Sequence, residues 1–411
     1  MIKYQRALQI LKKNKIRIKT EKISSLSSVN RISSQNVYSP YNYPAANNTA
    51  FDGYAINSSE TSKLNKKNIK KFKILKSIAA GDNPLIKKIP KFSTVEVMTG
   101  AIIKKPFDTV IPIENVIYFP NNNNPKYIII NYKVKKNNHI RFKGSDYKKG
   151  QKVISKGQLI KPSHILAFKT LGINNIRVKR KPKIAFFSTG NEISNKIKIP
   201  DWKIRNSNNH FLRSFLKFYS VDFFEKKLLR DNDEIKFKNE INKILKSNFD
   251  LIITSGAVSA GKYDFIPKIV NKFKLKEFFK GVAIRPGKPF MFAKFQKNIA
   301  FFGLPGNPIS SAACFRFFVM PYLNFSLGSS PEISLIAKIK SNFTKKKEFT
   351  RFIKGHLTYS NKGVPMFEIL KGQESFRINS FVKSNAWGLF PDGKSKFKKG
   401  NYIKSFINFL E

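Results

Sequence analysis

"DLIITSGAVSAGKYDF", residues 250–265, joins a short apolar run to a loop of small residues that ends near a carboxylate, Asp264. Leu251, Ile252 and Ile253 read as a buried strand, while Ser255, Gly256, Ser259 and Gly261 leave backbone N–H groups uncovered by side chains. Such a loop can take an anion. A carboxylate beside an anion site is unfavourable unless a cation lies between them, so Asp264 points to a divalent metal bridging protein and phosphate. The plain alternative is a connecting loop with a solvated acid, and the rest of the chain decides between the two.

Outward from this stretch, strand and helix patterns alternate from Lys183 to about Tyr322. "KIAFFS" and "VDFFEKKLL" read as strands, and "NSNNHFLRSFLKFYS" as a helix capped by Asn206 or Ser207. "DNDEIKFKNEINKILKS" is a second helix, with Asp231 a plausible N-cap. "FMFAKF" and "NIAFFG" are short strands before the helix "NPISSAACFRFFVMPYL", which has Asn307 at its N-cap, Pro308 at N1 and Pro321 near its end. The alternation predicts a largely parallel α/β sheet, whose ligands bind outside the carboxyl ends of the strands. Glu192, Asp231, Asp264 and the "GLPGNP" loop each follow a strand end, so four features converge on one crevice.

The predicted organisation is α/β multidomain: a doubly wound central domain at 183–327, a β-rich domain at 47–141, a connecting region made of 1–46 plus 142–182, and a C-terminal β module at 328–411. The single cysteine, Cys314, reads as a core residue, and the four histidines lack metal-ligand spacing, which argues against zinc. No run approaches eighteen apolar residues and the start lacks a signal-peptide core, so a cytoplasmic protein with no membrane partner is expected. The net charge of +53 would ordinarily favour nucleic acid. Here Lys accompanies abundant Asn, Ile, Phe and Ser along the whole chain, as an AT-rich coding sequence produces, so nucleic acid is not expected to be the main partner. "GLFPDGKS" at 388–395 matches a P-loop pattern but shows neither a buried strand before it, where "KSNAW" stands, nor a following helix signal, and Pro391-Asp392-Gly393 is a good β-turn by itself.

The motifs form an ordered set: "NTAFDGYAI" at 48–56, "AAGDNP" at 79–84, "MTGA" at 98–101, "RFKGSD" at 141–146, "FFSTGNEI" at 186–193, "ITSGAVSAGKYD" at 253–264, "IRPGKPF" at 284–290 and "GLPGNPIS" at 303–310. This series resembles the molybdopterin molybdenumtransferase family, the bacterial MoeA type that is similar to the E domain of gephyrin. The resemblance implies a four-domain homodimeric enzyme that inserts molybdate into adenylylated molybdopterin, uses Mg²⁺ and releases AMP. The adenylyltransferase of the same pathway is an implied further partner.

By the same resemblance the catalytic candidates are Asp52, Thr99, Glu192, Asp231 and Asp264, with Glu192, Asp231 and Asp264 also near the metal. Asp52 and Thr99 match positions that approach the crevice from the other subunit, and Asp146 matches another acidic position. Substrate-binding candidates on the matching loops are Ser188, Thr189, Gly190, Thr254, Ser255, Gly256, Ser259, Gly261, Arg285, Lys288, Pro305, Gly306 and Asn307, with Arg351 and Ser375 from the C-terminal module. Small residues and cations suit this chemistry, because both substrates are anionic. The sequence departs from the family pattern at Ala257, Arg285 and Glu374. Two other readings stay open at this point: a molybdopterin adenylyltransferase of the same fold, and a basic scaffold or nucleic-acid-binding protein with reduced chemistry.

Overall fold

The computed structural model describes residues 1–230, 233–256, 273, 275–295 and 298–408. At its centre lies a six-stranded sheet in the order Asp222–Glu225, Lys183–Ser188, Leu251–Ser255, Ala300–Leu304, Met291–Lys294, Lys276–Lys280. The first four strands are parallel and the last two antiparallel. Both faces are covered, which explains why the central runs are apolar without alternation. Ile184, Phe186, Leu251 and Ile253 pack with Leu212, Phe215 and Phe318 on one side. Ala185, Phe187 and Ile252 pack with Phe237 and Ile241 of helix Glu234–Leu245 on the other.

Two details correct the sequence reading. The last helix of this domain does not end near Pro321: Pro308–Cys314 continues through a π turn, Phe315–Val319, into Met320–Leu327. Met320 N–H reaches Phe315 O, and this wider turn just before Pro321 carries the helix past a residue that cannot donate. Asn206 and Asn307 stand at N-cap positions, but neither side chain caps its helix. The N-cap of Glu234–Leu245 is Asp233, while Asp231 lies outside the described residues.

The β-rich domain holds a sheet in the order Thr109–Pro112, Gly53–Ile56, Ser93–Val97, Lys70–Ile78, Tyr127–Ile130, Ile117–Phe119. Thr20–Ser24 pairs with Asn175–Lys179, and Val37–Tyr38 with Lys152–Ile154, so the segments on either side of that domain share a core of Ile154, Ile160, Phe168, Ile176 and Val178. Helix Tyr4–Lys13 buries Tyr4, Ala7 and Leu11 in the central core.

In the C-terminal module, Thr350–Tyr359, Pro365–Ile369, Leu335–Ile339, Tyr402–Ile407 and Ala386–Phe390 pair in turn, and a further pairing of the first with the last closes a barrel. Ile284–Arg285 leaves the central domain to pair with Thr350–Arg351, and Phe317 stacks on Phe352 with centroids 4.0 Å apart. The barrel and the α/β domain thus share one apolar seam. Against expectation a buried strand, Ala386–Phe390, does run into the P-loop-like match, but the next element is the strand Lys396–Phe397, which excludes a phosphate-binding helix start there. Among the described residues no helix is long and apolar enough to cross a membrane.

Candidate active site

Register sets the site. Ser188 is level with Ser255, and Ser255 with Leu304, so three loops leave the carboxyl edge of the sheet at the same height. Beside them opens a cleft of about 840 Å³ between the α/β domain and the barrel. Glu192, Gly256, Arg285, Lys288, Pro305, Gly306 and Asn307 line it from one side, and Arg351, Gln373, Glu374, Ser375 and Phe376 from the other.

Four of the hydroxyl residues predicted to bind substrate, Ser188, Thr189, Thr254 and Ser255, lie beneath this surface. Ser188 Oγ donates to Asn206 Oδ1 at 2.8 Å, and Thr189 Oγ1 to Ser255 O at 3.0 Å. Asn208 Nδ2 donates to Ser255 Oγ at 2.6 Å and to Gly306 O at 2.8 Å, bracing the second and third loops together. Ser188, Thr189, Thr254 and Ser255 are buried, and Thr254 Oγ1 has no hydrogen-bond partner among the described residues. Their side chains hold the loops. The cleft is instead lined by loop backbone, by the charges of Glu192, Arg285, Lys288, Arg351 and Glu374, and by Asn307, Ser310, Gln373 and Ser375.

Gly256 has φ +95°, and a Cβ there would fall 2.4 Å from Thr189 O, so the first and second loops approach at a distance that only glycine permits. Gly287, between Arg285 and Lys288, has φ +102° and its Cβ would meet Cys314 Sγ at 2.4 Å. The buried thiol therefore backs the loop that carries both cations. Its pKa is pushed well up by burial, and it takes no part in the cleft surface.

Arg285, Lys288 and Arg351 make no ion pair among the described residues. Arg285 and Arg351 face each other across one rung of a parallel pairing. Burial, and then the neighbouring Arg285, push the Arg351 guanidinium below its ordinary pKa, and Arg351 Nε is buried without a hydrogen-bond partner among the described residues. Opposed cations with a spare donor are what an oxyanion needs.

Asn307 Nδ2 donates to Ser375 Oγ at 3.1 Å, and Ile309 N–H to Ser375 O at 3.3 Å, fastening the barrel loop to the start of helix Pro308–Cys314. Behind that loop, Lys354 is 1% exposed and its Nζ donates to Gly372 O, Arg377 O and Glu374 O at 2.8, 3.0 and 3.2 Å. Burial lowers its pKa to about 8, against the opposing pull of Glu374. Gln373 closes the same knot through Lys354 O and Leu370 O. The sequence reading missed Lys354, Gln373 and Asn208 as organisers of the site. One signal was present: in "RFIKGHL" the strand alternation puts Lys354 on the same face as Phe352, and a Lys buried there has to find several acceptors. Glu374 Oε2 lies 3.8 Å from Arg377 Nε.

Asp52 and Thr99 do not line this cleft. They meet at the tip of the β-rich domain, where Asp52 Oδ1 accepts from Thr99 Oγ1 at 2.7 Å and Thr99 N–H at 2.6 Å. The side-chain bond first, then the backbone bond, hold the Asp52 carboxyl below its usual range. Asp146 is exposed in a turn tied to Tyr43 O. Asp231, Ala257, Ser259, Gly261 and Asp264 lie outside the described residues. Among the described residues no three His, Cys, Asp or Glu side chains gather as a metal cluster. Glu192 is exposed, forms no ion pair among the described residues, and offers the oxygen donors that Mg²⁺ takes.

The fold and site define a multidomain protein built on a molybdopterin-binding α/β domain, for residues 185–324 match the family described as a probable molybdopterin binding domain. Residues 2–172 match the MoeA N-terminal region (domain I and II) and residues 337–404 the MoeA C-terminal region (domain IV). The chain belongs to the MoeA family. The molybdopterin molybdenumtransferase of Staphylococcus epidermidis is 30% identical over 407 residues, covering 98% of this chain and 94% of that protein. That of Staphylococcus aureus is 29% identical over 380 residues, covering 92% and 88%. The crystal structure of the molybdopterin biosynthesis moeA protein from Pyrococcus horikoshii matches with TM-score 0.83 and 25% identity, covering 99% of this chain and all of that one.

Proposed function

We propose that this chain is an enzyme that inserts molybdenum from molybdate into adenylylated molybdopterin with release of AMP, giving the molybdenum cofactor. One observation carries the reading: Arg285, Lys288 and Arg351, without ion-pair partners among the described residues, line the same cleft as Glu192 and the bare backbone at Gly306 and Asn307. A site with surplus cations and uncovered N–H groups is built for anions. Lys288, a point charge, and the forks of Arg285 and Arg351 suit molybdate, with Ser375 beside them. The N–H groups of Gly306 and Asn307, at the start of helix Pro308–Cys314, suit the phosphate of the pterin nucleotide.

Glu192, with Asp231 and Asp264, would hold Mg²⁺. Bound there, the ion supplies charge compensation where the phosphoanhydride breaks. Asp52, kept ionised by Thr99, would act on the cleft of a second copy in a homodimer. The adenylyltransferase of the same pathway would supply the nucleotide, and the cytoplasm is the expected setting. Incubation with adenylylated molybdopterin, Mg²⁺ and molybdate, with AMP release as the readout, tests the reading.

A further inference from the structure

One guanidinium ties together two of the loops at the carboxyl edge of the central sheet. Arg230 Nη1 lies within hydrogen-bond reach of Ile193 O at 2.7 Å, Asn191 O at 3.0 Å and Gly190 O at 3.1 Å, its two hydrogens shared among the three carbonyls. The intervening carbonyl, that of Glu192, accepts from Ile204 N–H at 2.8 Å. Every main-chain oxygen from 190 to 193 is therefore held, while the Glu192 carboxylate stays exposed and unpaired among the described residues. Arg230 is itself anchored. Leu229 N–H donates to Ser188 O at 2.9 Å, Gly190 N–H to Leu229 O at 3.1 Å, and Arg230 N–H to Asp233 Oδ2 at 2.9 Å.

We propose that Arg230 is a positioning residue: it fixes the backbone on both sides of Glu192 and so sets where that carboxylate meets a divalent cation. Resting on the role given to Glu192 under Proposed function, the inference adds that cation affinity depends on a residue that touches no ligand. An outer group that orients a metal ligand typically contributes ten- to a hundredfold to affinity.

The test compares the parent with Arg230→Met, which keeps the stem and removes the donors, and Arg230→Lys, which keeps a cationic donor. Amide exchange at Ile204 and Gly190, followed without ligand, should quicken in Arg230→Met. The Mg²⁺ concentration for half-maximal AMP release should rise about tenfold or more, the molybdate requirement should change little, and Arg230→Lys should recover most of the loss. Parent-like exchange or a parent-like Mg²⁺ requirement in Arg230→Met overturns the proposal, as does an equal rise in the Mg²⁺ and molybdate requirements. Arg230→Gln replaces the Met variant if the latter does not fold, and is read by the same outcomes. A parent that releases no AMP sinks the reading of the site instead, and the exchange measurement still decides the clamp.

Discussion

Arg285 and Arg351 occupy the same rung of the parallel pairing that joins the α/β domain to the barrel, so two like charges are held side by side at the cleft. Their repulsion costs stability in the empty protein and is offset when an anion lies between them. Arg351→Gln should therefore leave the unfolding temperature unchanged or slightly raised without ligand. Added molybdate should raise the parent's midpoint and raise the variant's much less. Thermal unfolding with and without molybdate checks this, and equal rises would remove Arg351 from the anion site.

Lys354 gives a pH dependence of known sign. Its folded pKa, lowered to about 8 by burial, lies below the ordinary 10.5, so between these values the unfolded chain binds more protons than the folded one. The penalty for burying the ammonium is full below pH 8 and disappears as pH rises towards 10.5. Relative to Lys354→Met, the parent should gain stability across that window. The neutral amine has only two hydrogens for three carbonyls, so the loop at 372–377 should loosen as the fold gains, and molybdate affinity should fall over the same range. Denaturant unfolding of both proteins at several pH values measures the difference, and parallel curves would contradict it.

Asp52 and Glu192 belong to separate domains, and within one chain Asp52 does not line the cleft. If a homodimer brings them together, Asp52→Ala and Glu192→Ala should each be nearly inactive, while refolding the two together restores activity. A mixed dimer carries both changes at one site and neither at the other. Random pairing makes about half of the dimers mixed, so recovery should approach roughly a quarter of the parent's activity. Mixed dimers shown to be present but inactive would place both residues in one chain's site.

The fold was legible where periodicity and burial agree. "KIAFFS" and "LIITS" carry unbroken apolar runs, Ile184–Phe187 and Leu251–Ile253, because parallel strands are covered on both faces, and both became central strands. The end of the last helix was misread because Pro321 is a stop signal only while the turns before it stay α-helical; the π turn at Phe315–Val319 removes that condition. At the site, the cations Arg285, Lys288 and Arg351 were named through the family resemblance, since a small-residue loop or a lone charge by itself reads equally as a plain connection, and the three line one cleft. What each hydroxyl does could not: Ser188, Thr189 and Ser255 sit one layer below the surface, and only three-dimensional register tells a ligand contact from a loop brace. Lys354 and Arg230 escaped for a related reason, as their partners are main-chain carbonyls, which every residue possesses and no pattern marks.

The most direct test of the account is AMP release from adenylylated molybdopterin by the purified chain, with Mg²⁺ and molybdate supplied or withheld, in the parent and in Lys288→Ala. Loss of a point cation at an anion costs about 1.5–3 kcal/mol, a ten- to hundredfold weaker hold. The account predicts release that needs both Mg²⁺ and molybdate, with the variant requiring correspondingly more molybdate while the pterin nucleotide still binds. Release that ignores molybdate, or a Lys288→Ala protein with the parent's molybdate requirement, would contradict it.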